Sequence, residues 1–124
     1  MIDALKGKVL TGVEFTMGYV QLDFAGSRLT CWVWPTVAVD GEVARHMGDL
    51  GYRDALCALL SREVVGADES LVDGPTVSFA NGSVAIRPQQ EDLTGPEIAM
   101  LQLRDVERRW DVWRPGEGPF EYLA

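Results

Sequence analysis

Residues that could carry out nucleophilic catalysis are scarce in this chain. A Ser-His-Asp or Cys-His arrangement would have to use His46, the single histidine among the 124 residues. Cys57 is the nearer of the two cysteines, and no sequence pattern pairs its thiol with the imidazole. We therefore predict no catalytic residues, and the sequence favours a protein without enzymatic activity.

Four carboxylates occur as two adjacent pairs, Asp68-Glu69 and Glu91-Asp92. Neighbouring side chains on a strand point to opposite faces, so neither pair supplies the two facing carboxylates that acid–base work on a sugar requires. No Cys-x-x-Cys, His-Glu-x-x-His or glycine-rich phosphate loop occurs. The sequence therefore predicts no metal site and no cofactor, and the four carboxylates are interpreted as surface residues that contact a partner.

Two tryptophans, Trp32 and Trp34, fall on one face of a predicted strand, opposite Leu29. If the Leu29 face is buried, both indoles point outward, where tryptophan is enriched at binding hot spots. The alternative is that the segment 36–48 or the C-terminal tail covers them. Trp32 and Trp34 are therefore candidate partner-binding residues.

The formal charge of −8 indicates which classes of partner the protein can bind. An acidic surface repels nucleic acid and attracts basic proteins, so we predict a basic protein partner and no nucleic acid. The densest group of arginines has acidic residues interleaved with it; the arginines are Arg104, Arg108, Arg109 and Arg114, and the acids are Asp105, Glu107 and Asp111.

The uninterrupted apolar stretches are short, and the longest, such as Cys31–Trp34, contain only a few residues. A membrane helix needs about 20 apolar residues, so we predict no contact with a membrane. The N-terminus lacks the basic and then apolar layout of a secretion signal, which favours a cytoplasmic location. Cys31 and Cys57 both have apolar neighbours, and we predict two buried free thiols.

The range 8–35 is predicted to form a first β unit, a three-stranded meander. Residues 19–24 alternate, with Val20, Leu22 and Phe24 on one face, which is the period of a strand. Range 49–62 is predicted to be a helix.

Within the predicted helix, Tyr52, Leu56, Leu59 and Leu60 fall on one stripe, and Asp49 is placed to cap its first turn. The segment 36–48, which precedes it, contains a turn signal at Asp40-Gly41 but no clear element.

The range 62–113 is predicted to form a second β unit. Its first part repeats the opening meander weakly, with Phe79 in the place of Phe24 and Val84 in the place of Leu29. Asn81-Gly82 is a strong signal for a type I′ hairpin turn. Residues 94–109 fit either a helix or a strand that pairs with 110–113, and we favour the strand.

The predicted fold class is therefore α+β, as a single domain over 1–124. Two antiparallel β-meander units, related by a weak internal repeat, pack with one main central helix, and 114–124 is a C-terminal tail. Phe120, Tyr122 and Leu123 are expected to dock onto the body of the domain.

Several short strings resemble a family of small α+β proteins from actinobacteria that has no established activity. They are Leu5-Lys6-Gly7-Lys8-Val9, Gly12-Val13, Phe79-Ala80-Asn81-Gly82, Gly95-Pro96-Glu97 and Val112-Trp113-Arg114-Pro115-Gly116. The chain is also similar in general type to acidic immunity proteins of bacterial toxin systems. Neither resemblance implies site residues.

Two functions remain after this reasoning. The first is a non-enzymatic binding or regulatory protein, of immunity type, that binds a basic partner through its acidic surface. The alternative is a small-molecule-binding domain or small enzyme with a pocket between the two β units, lined by Asp68, Arg87, Glu91 and Glu97. A homodimer is compatible with both.

Overall fold

The fold comes from a computed structural model, which describes residues 2–44, 48–70, 74–93, 95–104 and 108–120. Two antiparallel sheets of five strands each account for most of the regular structure. Within the described residues there is a single short α-helix, α1 (Tyr52–Cys57), which in chain order lies between two strands of the second sheet. The prediction of a domain dominated by antiparallel strands is confirmed, and its helical part is smaller than predicted.

The first sheet is built from the predicted opening meander and a hairpin from the end of the chain, in the order β1-β2-β3-β9-β10. Its inner face consists of side chains at alternate positions, and the burial of β2 follows the predicted period of two. The strands are β1 (Gly12–Phe15), β2 (Val20–Phe24), β3 (Ser27–Cys31), β9 (Ala99–Leu103) and β10 (Arg109–Trp113).

The second sheet has the order β5-β4-β8-β7-β6. Its hairpin β4–β5 comes from the segment in which no element was predicted, and its meander β6–β7–β8 comes from the start of the predicted second unit. The strands are β4 (Thr36–Val39), β5 (Glu42–Ala44), β6 (Val64–Ser70), β7 (Gly74–Phe79) and β8 (Gly82–Ala85).

Both sheets therefore have the same construction, a meander extended by a hairpin that follows the other meander. The hairpin β9–β10 pairs with β3, and the hairpin β4–β5 pairs with β8. The range 62–113 thus contributes strands to both sheets. The sheets also join along the chain before β1, where Val9 forms an antiparallel bridge with Glu63. β5 and β10 are the outermost strands at the ends of the two sheets away from this junction, each paired on one side only in the described part of the chain.

The inner faces of both sheets contribute to one hydrophobic core. Leu22, Phe24, Phe79 and Ile86, which the meander pattern places inside, are all buried. The short 3-10 helix Ile2–Leu5 packs beside β6 and adds two buried side chains. The burial of apolar surface, which contributes a free energy of about 25 cal/mol per Å², is the principal driving force for such a fold.

The helix differs from the predicted range 49–62 at both ends. Its N-cap is Gly51, in the left-handed region at φ 81°, without a side-chain cap hydrogen bond, so the prediction that Asp49 caps the first turn is wrong. At its other end the bonding tightens, since the N–H of Leu59 donates to the carbonyl of Leu56. Ser61 then adopts φ 67° and ends the turn. The helix α1 packs beside β4 and has only 6 residues, so it is a minor element and not the predicted main central helix.

Two hairpin turns depend on positive φ angles. Ala25 and Gly26 have φ 54° and 104°, and Asp40 and Gly41 have φ 51° and 86°. This is the type I′ combination, whose twist matches that of the flanking strands. The turn signal at Asp40-Gly41 is therefore confirmed.

The Asn81-Gly82 hairpin exists, but its turn differs from the predicted one. Phe79 pairs with Gly82, so the two loop residues are Ala80 and Asn81, and Gly82 begins β8. Neither Asn81 nor Gly82 has a positive φ. The Asn81 amide instead donates to the carbonyl of Ala58 at 3.1 Å, at the end of α1.

Of the remaining local predictions, some are confirmed and one is wrong. Residues 99–103 form strand β9, paired with β10, which confirms the strand alternative for this segment. Both cysteines are free, but only Cys31 is buried, and the prediction of a buried Cys57 is wrong. Leu56 turns inward, and Cys57, about 100° further around the helix, points outward. In the described ranges no helix is long and apolar enough to cross a membrane.

Some predicted features lie outside the described residues. These are His46, Asp105, Glu107, Tyr122 and Leu123. Of the predicted tail contacts, Phe120 is described, and it is buried.

Cys31 makes the stability of the domain sensitive to alkali. Burial raises the pKa of its thiol from the ordinary 9.0 to about 12. Burial, and to a smaller extent Cys31 and Asp49, also raises the pKa of the Tyr52 phenol above its ordinary range. A pKa that is higher in the folded state gives stability that is complete below the unfolded pKa and is lost as the pH rises through the folded pKa.

We therefore expect the free energy of unfolding to fall above about pH 9, by up to about 1.4 kcal/mol per pH unit for each such group. Urea unfolding between about pH 7 and pH 11 measures this decline. Cys31→Ala should be less stable at neutral pH and should decline less steeply, whereas Cys57→Ala, which changes an exposed side chain, should follow the wild type. Parallel curves for the wild type and Cys31→Ala would contradict the assignment.

Candidate functional site

The two tryptophans predicted to bind a partner lie just beyond the end of β3. Trp32 is half-buried, with its ring centroid 6.3 Å from that of Tyr19. Trp34 is also half-buried and packs edge-on against the buried Tyr52, at 6.3 Å between centroids. Trp34 thus contacts the core through Tyr52 of α1, whereas Trp32 contacts Tyr19.

The four predicted carboxylates have different surroundings. Asp68 and Glu91 are exposed. Glu69 accepts a hydrogen bond from the backbone N–H of Ile2, and Asp92 accepts one from the N–H of Gln89 at 2.8 Å and so caps a short 3-10 helix. Two of the four therefore hold backbone in place, Glu69 the N-terminal 3-10 helix beside β6 and Asp92 its own turn.

A first cleft of about 420 Å³ lies between β5 and the start of α1. Three carboxylates line it, those of Asp40, Glu42 and Asp54, and its described lining contains no lysine or arginine. Val43, which is 56% exposed, and the fully exposed Leu50 add apolar surface. We call this the acidic cleft; it combines negative charge with accessible aliphatic side chains.

The fold positions the acidic cleft through three local features. The type I′ turn at Asp40-Gly41 directs β5 back along β4, and β5 is an outermost strand of its sheet. The left-handed Gly51 starts α1 so that Asp54 lies in its first turn. Tyr52 anchors this turn, because its hydroxyl donates to the carbonyl of Pro35 at 2.6 Å.

A second cleft, of about 490 Å³, lies at one end of the first sheet, beside the turns of the β2–β3 and β9–β10 hairpins. It is rich in cationic and planar side chains, and we call it the arginine cleft. The described charged, amide and aromatic residues that line it are Arg28, Arg104, Arg108, Arg109, Asp23, Gln102 and Trp110.

The strand register places part of this lining in one row across four strands. Asp23 pairs with Arg28, Arg28 pairs with Gln102, and Gln102 pairs with Trp110. Paired residues share a face of the sheet, and the next row inward contains the buried Leu29 and its neighbours, so this row faces solvent. Of the four tryptophans, Trp110 is the exposed one, at 65%.

Backbone contacts hold the arginine cleft in shape. The N–H of Arg104 donates to the hydroxyl of the buried Ser27 at 2.9 Å, and the N–H of Gly26 donates to the carboxylate of Asp23 at 2.9 Å. A Cβ on Gly26 would lie 3.1 Å from Cδ of Arg104, so the arginine stem lies directly over this glycine. The same Asp23 carboxylate lies 4.0 Å from Nε of Arg28.

The sequence reasoning did not identify either cleft. Three of the four arginines were noted as a cluster, but Arg28 comes from another hairpin and joins them through the pairing of β3 with β9. The pocket expected to contain Asp68, Arg87, Glu91 and Glu97 coincides with neither cleft. A detectable signal for the acidic cleft was the hairpin pattern around Asp40-Gly41.

Neither a search for metal-binding groups nor a comparison with known proteins assigns a function to these clefts. The described residues contain no group of three or more His, Cys, Asp or Glu side chains placed to hold a metal ion. No family model, curated protein or solved structure matches the chain. The resemblances to actinobacterial and immunity-type proteins therefore stay predictions.

Proposed function

We propose that this chain is a non-enzymatic binding protein that takes up a basic protein partner in its acidic cleft. The observation that carries the proposal is the combination of Asp40, Glu42 and Asp54 with the exposed Val43 and Leu50 in one cleft. Binding by an immunity-type protein that neutralises a basic partner would be one case of this function.

The charge of the cleft supports a basic partner. Its three carboxylates add to the field of a chain with a formal charge of −8, which accelerates the encounter with a cationic protein. Exposed ion pairs contribute only about 0.2–1 kcal/mol each, so charge gives rate and selectivity more than affinity.

The aliphatic side chains and the strand edge supply the remaining affinity. An apolar part of the partner can cover Leu50 and Val43 beside the carboxylates of the cleft. In the described residues β5 pairs only with β4, so its other edge is open to a strand of the partner. A basic extended segment with an apolar side chain fits both features.

Three variants with the same change in charge test the location of the binding surface. They are Glu42→Gln/Asp54→Asn in the acidic cleft, Asp68→Asn/Glu91→Gln at the residues predicted from sequence, and Glu14→Gln/Glu63→Gln as a control on other exposed acids. Each immobilised protein is exposed to lysate of the source cells, and the retained basic protein is then purified for calorimetry.

We expect one basic protein to be retained by the wild type and the control, and to be bound about tenfold more weakly by the cleft variant. Its retention should decrease as salt is raised. Equal binding by the cleft variant, or loss only with Asp68→Asn/Glu91→Gln, would overturn the location. A wild-type dimer that the cleft variant converts to a monomer in light scattering would replace the basic partner by a second copy of the chain.

A further inference from the structure

The loop residue Asn81 is bonded to both walls of the acidic cleft, although it does not line the cleft itself. One wall is the hairpin β4–β5, which turns at Asp40, and the other is α1 with the residue that follows it, Ala58. We propose that Asn81 is a positioning residue that holds these two walls at a fixed separation and thereby determines how tightly a basic partner is bound. The part of the proposal that concerns binding rests on the proposed function.

Two hydrogen bonds of Asn81 carry the proposal. Its backbone carbonyl accepts from the N–H of Asp40 at 3.0 Å, which fixes the turn of the hairpin β4–β5. Its side-chain Nδ2 donates to the carbonyl of Ala58 at 3.1 Å, at the C-terminal end of α1. Asn81 is itself held in a two-residue loop, since Phe79 pairs with Gly82. One residue of the hairpin β7–β8 therefore links both walls.

The wall formed by α1 needs such a contact at its C-terminal end. Six residues are too few for a helix that is stable on its own, so tertiary contacts must hold α1 in place. At its first turn the Tyr52 hydroxyl donates to the carbonyl of Pro35 at 2.6 Å. At its last turn a longer helix would offer the N–H of Arg62 to the carbonyl of Ala58, but that N–H donates to a different carbonyl. The Asn81 amide takes the place of the missing donor.

The chemistry of this junction requires an amide. The carbonyl of Ala58 can only accept, so it needs the Nδ2 donor. The other end of the same side chain, Oδ1, is enclosed and has no hydrogen-bond partner among the described residues. A carboxylate at this position would place one oxygen against the carbonyl of Ala58 and would enclose the other without a donor, which is unfavourable. Asn81→Asp is therefore a change of nearly equal shape that breaks the link between the walls.

Asn81→Asp separates positioning from charge, because the two effects have opposite signs. The substitution adds one negative charge close to the acidic cleft, so attraction alone would strengthen the binding of a basic peptide. If Asn81 sets the position of α1, the same substitution should weaken binding by about fivefold or more. The uncharged Asn81→Ala should weaken binding to a similar extent. The control Gln90→Glu adds the same charge at an exposed amide outside the cleft, and it should change the affinity by less than about twofold.

Two measurements test these variants. Calorimetric titration at low salt with a synthetic peptide of alternating lysine and leucine gives the affinity. Hydrogen exchange resolved by residue reports on α1 without any partner, through the amides of Ala55 and Ala58, which donate to carbonyls one turn earlier. In Asn81→Asp these amides should exchange about tenfold faster than in the wild type, whereas the amides of β2 should keep their wild-type rates. Protected β2 amides also show that the variant is folded.

The outcomes distinguish this proposal from the proposed function. If the wild type binds the peptide and Asn81→Asp binds it equally or more tightly, or if exchange in α1 is unchanged, the role of Asn81 is overturned. Faster exchange throughout the protein, β2 included, would also overturn it, since Asn81 would then support the whole fold and not the cleft. Faster exchange confined to α1, with no measurable binding of the peptide by the wild type, would support Asn81 as the link between the walls and count against the proposed function.

Discussion

Replacing Gly82 by alanine is expected to lower the free energy of unfolding by about 3 kcal/mol or more, because a side chain at this position meets backbone. An ideal Cβ on Gly82 would lie 2.1 Å from the carbonyl oxygen of Ala38 and 3.2 Å from Cα of Val39. A backbone oxygen in a paired strand cannot rotate away as a side chain can, so β4 and β8 would have to separate.

The separation would affect more than one contact. Gly82 pairs with Val39 in β4 and with Phe79 in β7, so it lies where the hairpin β4–β5 attaches to the second meander. Losing this register would also displace Asp40, whose N–H donates to the carbonyl of Asn81 at 3.0 Å, and with it the acidic cleft. The variant should therefore lose both stability and partner binding.

Urea unfolding followed by circular dichroism measures the effect, and Gly66→Ala is the matched control. Gly66 also lies in a strand of the second sheet, and a Cβ there would have no neighbour within 4 Å. Without a positive φ at Gly66, alanine should be neutral or stabilising by up to about 1 kcal/mol. If Gly82→Ala unfolds at the same urea concentration as the wild type, the close approach of β4 and β8 is refuted.

Gly82 also shows what kind of information the sequence contains. The Asn-Gly pair correctly marks a hairpin, because such pairs are selected at tight turns. The reason for the glycine, however, is the approach of a strand from a distant part of the chain, and the sequence contains no local sign of it. Local patterns thus identified the hairpin, and the tertiary contact that requires Gly82 was not predictable.

The same distinction explains the two sheets. The alternation in β2 and β3 depends on residues next to one another, so these strands were predictable from their pattern. The choice of β9 as the second neighbour of β3 depends on which apolar faces pack best, with Leu29 opposite Leu101. Two separate meander units were the simpler expectation, and the exchange of hairpins between them was not visible.

The candidate sites follow from those distant pairings. Arg28 reaches the other arginines only because β3 pairs with β9, and Glu42 reaches Asp54 only because α1 returns to the hairpin β4–β5. Composition drew attention to charge and to tryptophan. It did not indicate that Trp110 is the exposed indole, because its exposure depends on which end and face of β10 meet solvent once β10 pairs with β9. β10 is also an outermost strand of its sheet.

That edge position leads to the second large expected effect, at Phe120. Trp113 faces the core at the end of the outermost strand β10, and among the described residues no further strand pairs with β10 on that side. The chain then turns back, and the Trp113 indole N–H donates to the carbonyl of Glu117 at 2.9 Å. Phe120 packs edge-on against Trp113 at 6.2 Å between centroids and is itself buried. The segment after β10 therefore closes the core that the sheet leaves open.

Phe120→Ala is expected to lower the free energy of unfolding by about 3–5 kcal/mol, since it removes a buried aromatic ring and leaves a cavity beside Trp113. Trp110→Ala, on the exposed face of the same strand, is the matched control and should change stability by less than about 0.5 kcal/mol. A double-mutant cycle with Trp113→Ala should give a coupling of about 0.5–1.5 kcal/mol for the aromatic pair. A Phe120→Ala protein as stable as Trp110→Ala would show that the segment after β10 is not part of the core, and the closure of the first sheet would then need another explanation.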